Sequence, residues 1–313
     1  MKHSIQLLLA VTLFTLVVSC GDEYNDYSIP VGKHIVDTDP SNQFGPQVAQ
    51  SELEFPALKG GSSEVVVHSC VMNAETGEED VNYSLEWDHD KKATRWVCYK
   101  MYNTTLQNKV SREDPWAYDP FIPETEQQVI SSELSKSYFP GTTDYYQRGH
   151  ILASADRRNT REANDQTCYM TNIYPMVGKF NGGAWSNMEG ALRNIAARCD
   201  TLYVCKGGTI DTEEGILAYT IDNGHGPHIV PKYFWCAIMD RTGNTFNGIA
   251  FWFEHLNTSA ATALKTYSLT IAELEAKTGI NFFCNLPDDI ENEVEHPDKT
   301  IMLGHCNYSV MYP

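Results

Sequence analysis

The spacing of apolar positions changes several times along the chain and predicts a mixture of strands and helices. Runs rich in β-branched and aromatic residues predict strands at 65–68, 94–101, 145–152, 201–206, 216–221, 233–239 and 248–254. The last four are expected to lie in one central sheet. A further short apolar segment spans 169–174. Strands and helices do not alternate regularly, which favours the α+β class over a parallel α/β fold.

Two segments have helical periodicity. Apolar residues recur at helical spacing between 181 and about 198, at Trp185, Met188, Leu192 and Ile195. Asn181, followed by two glycines, is a helix-start signal at the head of this segment. A later helix is predicted to begin at Thr270, where Glu273 completes a capping box, and to end at Gly279.

The amino terminus has the pattern of an export signal. A short cationic start, an apolar run and then Ser19-Cys20 resemble a bacterial lipoprotein signal, so residues 1–20 are expected to be a signal peptide with lipidated Cys20. An ordinary cleaved signal with an incidental Cys20 is the alternative. The acidic start after Cys20 resembles an export tag, which favours a lipid anchor in the outer membrane with display at the cell surface. Residues 21–50 suit a flexible tether, and 51–313 form the predicted domain.

Nine cysteines become an even set of eight once Cys20 is assigned to lipid. In an exported protein, eight thiols predict disulfides, although the sequence leaves their pairing open. No pair has CxxC spacing, which disfavours a structural zinc site. The thiols concerned are Cys70, Cys98, Cys168, Cys199, Cys205, Cys236, Cys284 and Cys306.

Length and composition are those of a compact globular protein, since 313 residues with 42% hydrophobic positions can bury a large core. The formal charge is −18, which at first argues against a polyanionic partner. Between 144 and 206, however, eight Lys and Arg residues outnumber six Asp and Glu residues. An acidic body with one relatively basic segment would admit a polyanion at that place alone.

This basic segment contains the side chains that metal-assisted phosphodiester hydrolysis requires. His150 is a suitable general base at neutral pH, and Arg148 and Arg193 offer permanently charged donors to phosphate. Asn181 supplies a neutral oxygen for Mg²⁺, and Glu189 can orient the waters of a hydrated ion. At helical spacing, Glu189 and Arg193 lie on adjacent turns and face the same cleft as Asn181.

Each signal taken alone has an ordinary structural alternative. A lone histidine is usually structural, Glu189 and Arg193 could be a surface pair at i,i+4 spacing, and Asn181 could be only a helix cap. The two histidines in Asp222-Asn223-Gly224-His225-Gly226-Pro227-His228 favour a polar loop over a second metal site. The spacing of the single histidine, the asparagine, the glutamate and the arginine relative to one another is what favours a catalytic role for them.

The run from 146 to 194 resembles the DNA/RNA non-specific endonucleases, the ββα-metal nuclease family. The family signature Asp-Arg-Gly-His is matched by Arg148, Gly149 and His150, with Gln147 in the place of the aspartate. The segment 171–175 matches the Ser/Thr-Asn-x-x-Pro motif. The helix motif is matched by Asn181, Trp185 and Glu189, and Arg193 also falls on a family position. A looser resemblance covers most of residues 50–295.

The resemblance implies a ββα-metal fold in which a mainly antiparallel central sheet is flanked by helices. It also implies cleavage of DNA and RNA to products with 5′-phosphate ends, with Mg²⁺ as cofactor and Mn²⁺ as its alternative, and no obligate protein partner is evident. The implied roles are general base for His150, direct metal ligand for Asn181, water-holding carboxylate for Glu189, phosphate binding for Arg148 and Arg193, and support of the site for Asn172.

Two other functions are compatible with these residues. One is a surface-displayed nucleic-acid-binding protein that keeps the phosphate contacts and hydrolyses little. The other is a phosphodiesterase that acts on a non-nucleic substrate such as a lipid head group, which would suit the acidic body and the membrane tether.

Overall fold

The computed structural model describes residues 53–130 and 145–298, apart from 221, 223 and 257, together with the backbone of 34–35 and residues 305 and 308. The predicted signal peptide, Cys20, nearly all of the tether and Cys306 lie outside the described residues. The expected domain boundaries therefore stay a prediction.

Twelve strands and four principal helices make up the described part. The strands are β1 His34–Ile35, β2 Ser63–Asn73, β3 Glu78–Asp88, β4 Ala93–Met101, β5 Tyr146–His150, β6 Ile173–Val177, β7 Thr201–Gly208, β8 Ile216–Tyr219, β9 Ile229–Pro231, β10 Tyr233–Thr242, β11 Thr245–Glu254 and β12 Ser268–Leu269. The helices are α1 Arg161–Gln166, α2 Ser186–Ala196, α3 Ile271–Thr278 and α4 Asp288–Glu295.

Eight of the strands form a central sheet in the order β1-β2-β3-β4-β7-β10-β11-β12. Its ladders are all antiparallel, as in the pairing of β10 with β7 and β11. Because side chains alternate across a strand, the sheet has two apolar faces. Helix α2 covers one through Met188, Leu192 and Ile195, and helices α3 and α4 cover the other. The expected α+β class and mainly antiparallel sheet flanked by helices are confirmed.

Two short hairpins stand outside the central sheet. Strands β5 and β6 pair with each other, and so do β8 and β9. The expectation that the segment 216–221 belongs to the central sheet is therefore wrong. Both edges of β7 are already occupied by β4 and β10, so the chain leaving β7 has no neighbouring edge to join.

The helical stretch around Asn181 begins earlier than its sequence predicts. A helical turn at Gly178–Phe180 and a π-helical segment at Asn181–Trp185 lead into α2. Asn181 has helical backbone angles, φ −57° and ψ −54°, so its interpretation as a helix cap is wrong. The stretch instead breaks at Gly183, where φ is −112° and ψ is −110°.

The later helix has the predicted ends. The Thr270 hydroxyl accepts a hydrogen bond from the Glu273 backbone N–H, and the Glu273 carboxylate accepts one from the Thr270 N–H. Gly279 ends α3 in the left-handed conformation with φ 69°, which glycine adopts without steric cost. Strands β1, β3, β9 and β12 and helices α1 and α4 were not predicted.

No disulfide joins the seven cysteines within the described ranges to one another, so the expected disulfides stay a prediction. Across the part of the chain that the structure describes, none of the helices is both long enough and apolar enough to span a membrane.

Candidate active site

The triplet Arg148-Gly149-His150 ends strand β5, and its partner strand carries the second motif. Arg148 lies opposite Pro175 and His150 lies opposite Ile173 in the antiparallel ladder. Two motifs that are separated by more than twenty residues in the chain are therefore adjacent in space. This hairpin positions the candidate base.

Glycine is required at the middle of the triplet by the side chain of Met176. A β-carbon placed on Gly149 would lie 2.8 Å from the Met176 Cβ and still closer to its Sδ. Such approaches are well inside van der Waals contact, so a larger residue would push the two strands apart. The close packing fixes the backbone immediately before His150.

His150 is enclosed at the end of this hairpin, with 8% of its surface exposed. The Trp185 indole N–H donates a 3.0 Å hydrogen bond to the His150 carbonyl, so the third motif holds the first. Nε2 has no hydrogen-bond partner among the described residues. Burial lowers the pKa of the imidazole to about 3, with a further contribution from Arg112, so His150 is a neutral ring with an unoccupied nitrogen.

Asn172 supports the chain that follows His150. Its Oδ1 accepts from the Leu152 backbone N–H at 2.8 Å, and its Nδ2 donates to the carbonyls of Leu152 and Thr167. The residue is fully buried and its amide is occupied by these contacts. Asn172 therefore fixes the loop beyond the strand and does not reach the reacting groups.

Asn181 and Gln147 form a contact that connects the helical stretch to β5. Asn181 Nδ2 donates to Gln147 Oε1 over 2.9 Å. This bond uses the amino side of the Asn181 amide and leaves its Oδ1 available. Gln147 occupies the position of the signature aspartate, and its neutral oxygen orients the candidate metal ligand.

Glu189 is a partly buried carboxylate one turn beyond Trp185 on α2. Its pKa is raised to about 7, chiefly by burial and also by Asp156, although Lys206 and, less strongly, Arg193 act in the opposite direction. No hydrogen bond to this carboxylate is found within the described part of the chain. Its oxygens are therefore suited to accept from ordered water.

Arg193 lies one turn beyond Glu189 and is held by Asp156. Its Nη1 lies 2.6 Å from Asp156 Oδ1, and the Tyr99 hydroxyl donates to the other oxygen at 3.0 Å. Asp156 is completely buried, whereas the Arg193 side chain remains 31% exposed. The guanidinium is thus fixed at one end and accessible at the other.

Arg148 lies on the other side of the imidazole, across an indole ring. Its guanidinium carbon is 4.8 Å from the Trp116 ring centroid, and the Trp116 and His150 rings are 5.3 Å apart. Arg148 Nη2 also donates to the Ile130 carbonyl. The structure therefore groups Arg148 and His150 around Trp116.

Several residues around this cleft were not predicted. Arg112 is close enough to lower the pKa of both His150 and Glu189, and Asp156 and Lys206 also act on Glu189. Asp156 follows His150 by six positions, but an isolated carboxylate carries no motif. Lys206 was counted only as part of the basic segment, and Arg112 and Trp116 lie far upstream of it.

The histidine-containing loop is a packed polar loop. His225 Nδ1 contacts the Gln127 carbonyl at 2.9 Å, and Lys92 Nζ donates to the His225 carbonyl. His228 is 3% exposed, and burial lowers its pKa to about 4. Among the described side chains, no group of three or more His, Cys, Asp or Glu residues is arranged to bind a metal ion.

The donor set fits a hydrated hard cation held by few protein ligands. Asn181 offers one oriented amide oxygen, and Glu189 offers carboxylate oxygens that the described residues leave without donors. Mg²⁺ binds oxygen ligands and retains several of its waters, so one direct ligand with a nearby acceptor for water is a compatible arrangement.

Comparison with known proteins places this site in a family. The family model for DNA/RNA non-specific endonuclease matches residues 69–289. A nuclease from Nostoc sp. is 28% identical over 226 residues, covering 68% of this chain and 75% of the relative. A nuclease from Serratia marcescens is 23% identical, covering 78% and 91%. The mitochondrial endonuclease G of Caenorhabditis elegans is 22% identical, covering 87% and 91%.

A solved structure of an EndoG/EndoGI complex, described in terms of EndoG inhibition, has the same fold. One of its chains is 19% identical and superimposes with a TM-score of 0.52 over 66% of this chain and 84% of that chain. The expected ββα-metal fold is thereby confirmed. The family match begins within β2 and ends at the start of α4, so it includes strands β5 and β6 and helix α2. The chain therefore belongs to the DNA/RNA non-specific endonuclease family.

Proposed function

We propose that the protein is a metal-dependent nuclease that hydrolyses phosphodiester bonds in DNA and RNA. The observation that carries the proposal is the placement of a neutral, unpartnered His150 Nε2 on the strand whose Gln147 orients the Asn181 amide. Nuclease is also the printed name of the relatives from Nostoc sp. and Serratia marcescens.

His150 is proposed as the general base. Its lowered pKa keeps the imidazole unprotonated at neutral pH, so Nε2 can accept a proton from an attacking water. The hydrogen bond from Trp185 and the supports from Asn172 fix the chain on both sides of the ring. The base therefore meets the water without reorganisation of its backbone.

Asn181 would hold a hydrated Mg²⁺ through Oδ1, with Mn²⁺ as a substitute, and Glu189 would accept hydrogen bonds from the waters of the ion. Such an ion, when bound, supplies positive charge to the phosphoryl oxygens and the leaving oxygen. Arg193, anchored by Asp156, and Arg148, packed on Trp116, are the donors proposed for phosphate.

A cleavage assay tests the proposal. Plasmid DNA and a single-stranded RNA are incubated with the protein in Mg²⁺ or in EDTA, using wild type, His150→Ala and Asn181→Ala. Each variant is expected to lose at least about a hundredfold in rate while it retains the wild-type melting temperature. Full activity in either variant would exclude the corresponding role. Binding without metal-dependent cleavage by wild type would instead indicate a nucleic-acid-binding protein, and preference for a lipid phosphodiester would indicate the non-nucleic alternative.

We also propose that the nuclease is exported and anchored to the outer membrane through lipid on Cys20. The support is the amino-terminal pattern alone: an apolar run, the Ser19-Cys20 pair and the acidic residues that follow. Mass spectrometry of the mature amino terminus from membrane fractions tests this. A mature chain that begins at lipid-modified Cys20 is expected, and the modification should be absent from Cys20→Ser. An unmodified terminus in wild type would exclude the anchor.

A further inference from the structure

Lys206 is a charged residue on a face of strand β7 that is otherwise apolar. Leu202 and Val204 point to the face that α2 covers, and Lys206 continues the same alternation. Its side chain is fully buried, and Nζ has no hydrogen-bond partner in the described ranges. An ammonium in this position is costly unless neighbouring groups compensate its charge.

The groups around Nζ belong to the candidate site. Nζ lies 5.2 Å from the centroid of the Tyr99 ring and 5.5 Å from that of the Trp185 ring. Tyr99 donates to Asp156, and Trp185 donates to the His150 carbonyl. The ammonium therefore lies between the sheet and the start of α2, against the two rings that contact Asp156 and the backbone of His150.

The positive charge of Lys206 acts on the protonation of Glu189. Burial and Asp156 both disfavour its ionised form, and Lys206 favours it more strongly than Arg193 or Arg112. Arg193 is already paired with Asp156 at 2.6 Å, and Arg112 is paired with Asp114 at 2.6 Å on the surface. The rings of Tyr99 and Trp185 stabilise the Lys206 ammonium by cation–π interaction. Because this interaction does not neutralise the ammonium, its positive charge still acts on Glu189.

We propose that Lys206 is a positioning residue of the nuclease, whose buried ammonium acts as a fixed counter-charge that keeps Glu189 ionised. The inference rests on the proposed function, because only an ionised Glu189 can accept hydrogen bonds from the waters of a bound cation through all of its oxygen lone pairs. Lys206 does this without contacting substrate, since Nζ is sealed from solvent.

The direct test is the protonation of Glu189 in full-length, metal-free protein. Infrared difference spectra of wild type against Glu189→Gln isolate the carboxyl band of this residue, and its pH midpoint is then measured in a Lys206→Met background. The midpoint is expected to rise by about one pH unit or more, because the positive charge that most favours ionised Glu189 is lost. An unchanged midpoint in folded Lys206→Met would overturn the proposal, whether or not the protein cleaves nucleic acid.

Lys277→Met is the matched control. Lys277 also lies over an indole ring, 5.1 Å from the centroid of Trp252, but it is exposed and extends from α3 on the opposite face of the sheet. Its removal should leave the Glu189 midpoint unchanged. Lys206→Met is expected to remain folded, because it removes a buried ammonium that lacks a hydrogen-bond partner and Glu189 can take up a proton when its counter-charge is lost. Lys206→Gln is the second neutral variant, and it should shift the midpoint in the same direction.

Kinetics add a readout that a purely structural role would not change. The acidic limb of the kcat/KM profile should move upward in Lys206→Met by the same amount as the infrared midpoint. In a Glu189→Gln background the acidic limb should be absent, and adding Lys206→Met should not bring one back. A uniform loss of rate at every pH, with the limb unmoved, would assign Lys206 to packing and contradict the proposal.

Discussion

Gln147 Oε1 accepts a 2.9 Å hydrogen bond from Asn181 Nδ2, and this contact joins strand β5 to the helical stretch that follows β6. A glutamine can therefore serve at a position where the family signature has an aspartate. What the contact requires is an acceptor for the Asn181 amino group, and an amide oxygen meets that requirement without adding charge.

Replacing Gln147 should show whether the acceptor or its charge matters. Gln147→Leu removes the acceptor, and we expect the Mg²⁺ concentration for half-maximal plasmid cleavage to rise by about ten- to a hundredfold. Gln147→Glu keeps an acceptor and should remain within a few-fold of wild type. Equal behaviour of the two variants, at equal melting temperatures, would mean that this contact does not orient Asn181.

Substitutions of Arg193, which is held by Asp156, should separate the effect of its positive charge from the effect of the guanidinium geometry. Among the described residues, Arg193→Ala leaves the buried Asp156 carboxylate with the Tyr99 hydroxyl as its remaining side-chain hydrogen-bond donor. We therefore expect a loss of about 2 kcal/mol in the free energy of unfolding together with a large loss of activity. Arg193→Lys keeps the charge and should recover most of the stability, but little of the rate. Urea titrations and initial rates measure the two effects. If Arg193→Lys is fully active, guanidinium geometry is unimportant.

The packing of Gly149 against Met176 can be tested by a paired substitution. Gly149→Ala should destabilise the fold by about 1–3 kcal/mol and reduce activity, because the added methyl group overlaps the methionine side chain. Met176→Ala creates space and should restore part of both losses in the double variant. Additive losses would show that the glycine is needed for another reason, such as backbone conformation.

The pH dependence of cleavage should reflect Glu189 and not His150. The pKa of His150 is lowered to about 3, so the base is already neutral throughout the usual assay range. The pKa of Glu189 is raised to about 7, so its ionised form is lost as the pH falls through neutrality. We expect kcat/KM to fall up to tenfold per pH unit below this limb. The limb should disappear from the residual activity of Glu189→Gln, and its persistence there would assign it to another group.

Stability should fall in mild acid because His255 must stay neutral. Its Nε2 accepts from the Val177 N–H at 2.8 Å, while Nδ1 contacts the Pro231 carbonyl at 3.0 Å. Burial lowers its pKa to about 4, so the unfolded chain binds the additional proton and stability is lost as the pH falls below about 6.5. Between pH 7.5 and 5.5, wild type should lose about 1 kcal/mol more than His255→Leu. Urea titrations at the two pH values measure this difference, and equal losses would exclude His255 as the source.

The sequence was sufficient to predict elements whose signals are local. The helix from Thr270 to Gly279 was predicted at both ends because its capping box and its left-handed glycine are properties of a few adjacent residues. The strand carrying His150 and the helix carrying Glu189 were also predicted, since each has its own periodicity. By contrast, the helical stretch starts at Gly178, directly after β6. This start depends on where β6 ends, which no local sequence pattern indicates.

The residues of the candidate site were likewise predicted only where a local motif indicates them. Arg148, His150, Asn181, Glu189 and Arg193 were predicted from motif spacing, and the structure places them along one hairpin and one helical stretch. Asp156 and Lys206 could not be assigned roles, because these depend on which strands become neighbours. Lys206 approaches the site only because β7 pairs with β4 and lies beneath α2.

The β5–β6 hairpin pairs with itself and with no strand of the central sheet. It is joined to the sheet by side-chain packing and hydrogen bonds: Tyr174 and Met176 lie in the core cluster that α2 covers, and Trp185 and His255 contact its backbone. The position of the candidate base therefore depends on the same side-chain packing that stabilises the domain. Substitutions that loosen this packing should lower the melting temperature and the cleavage rate together.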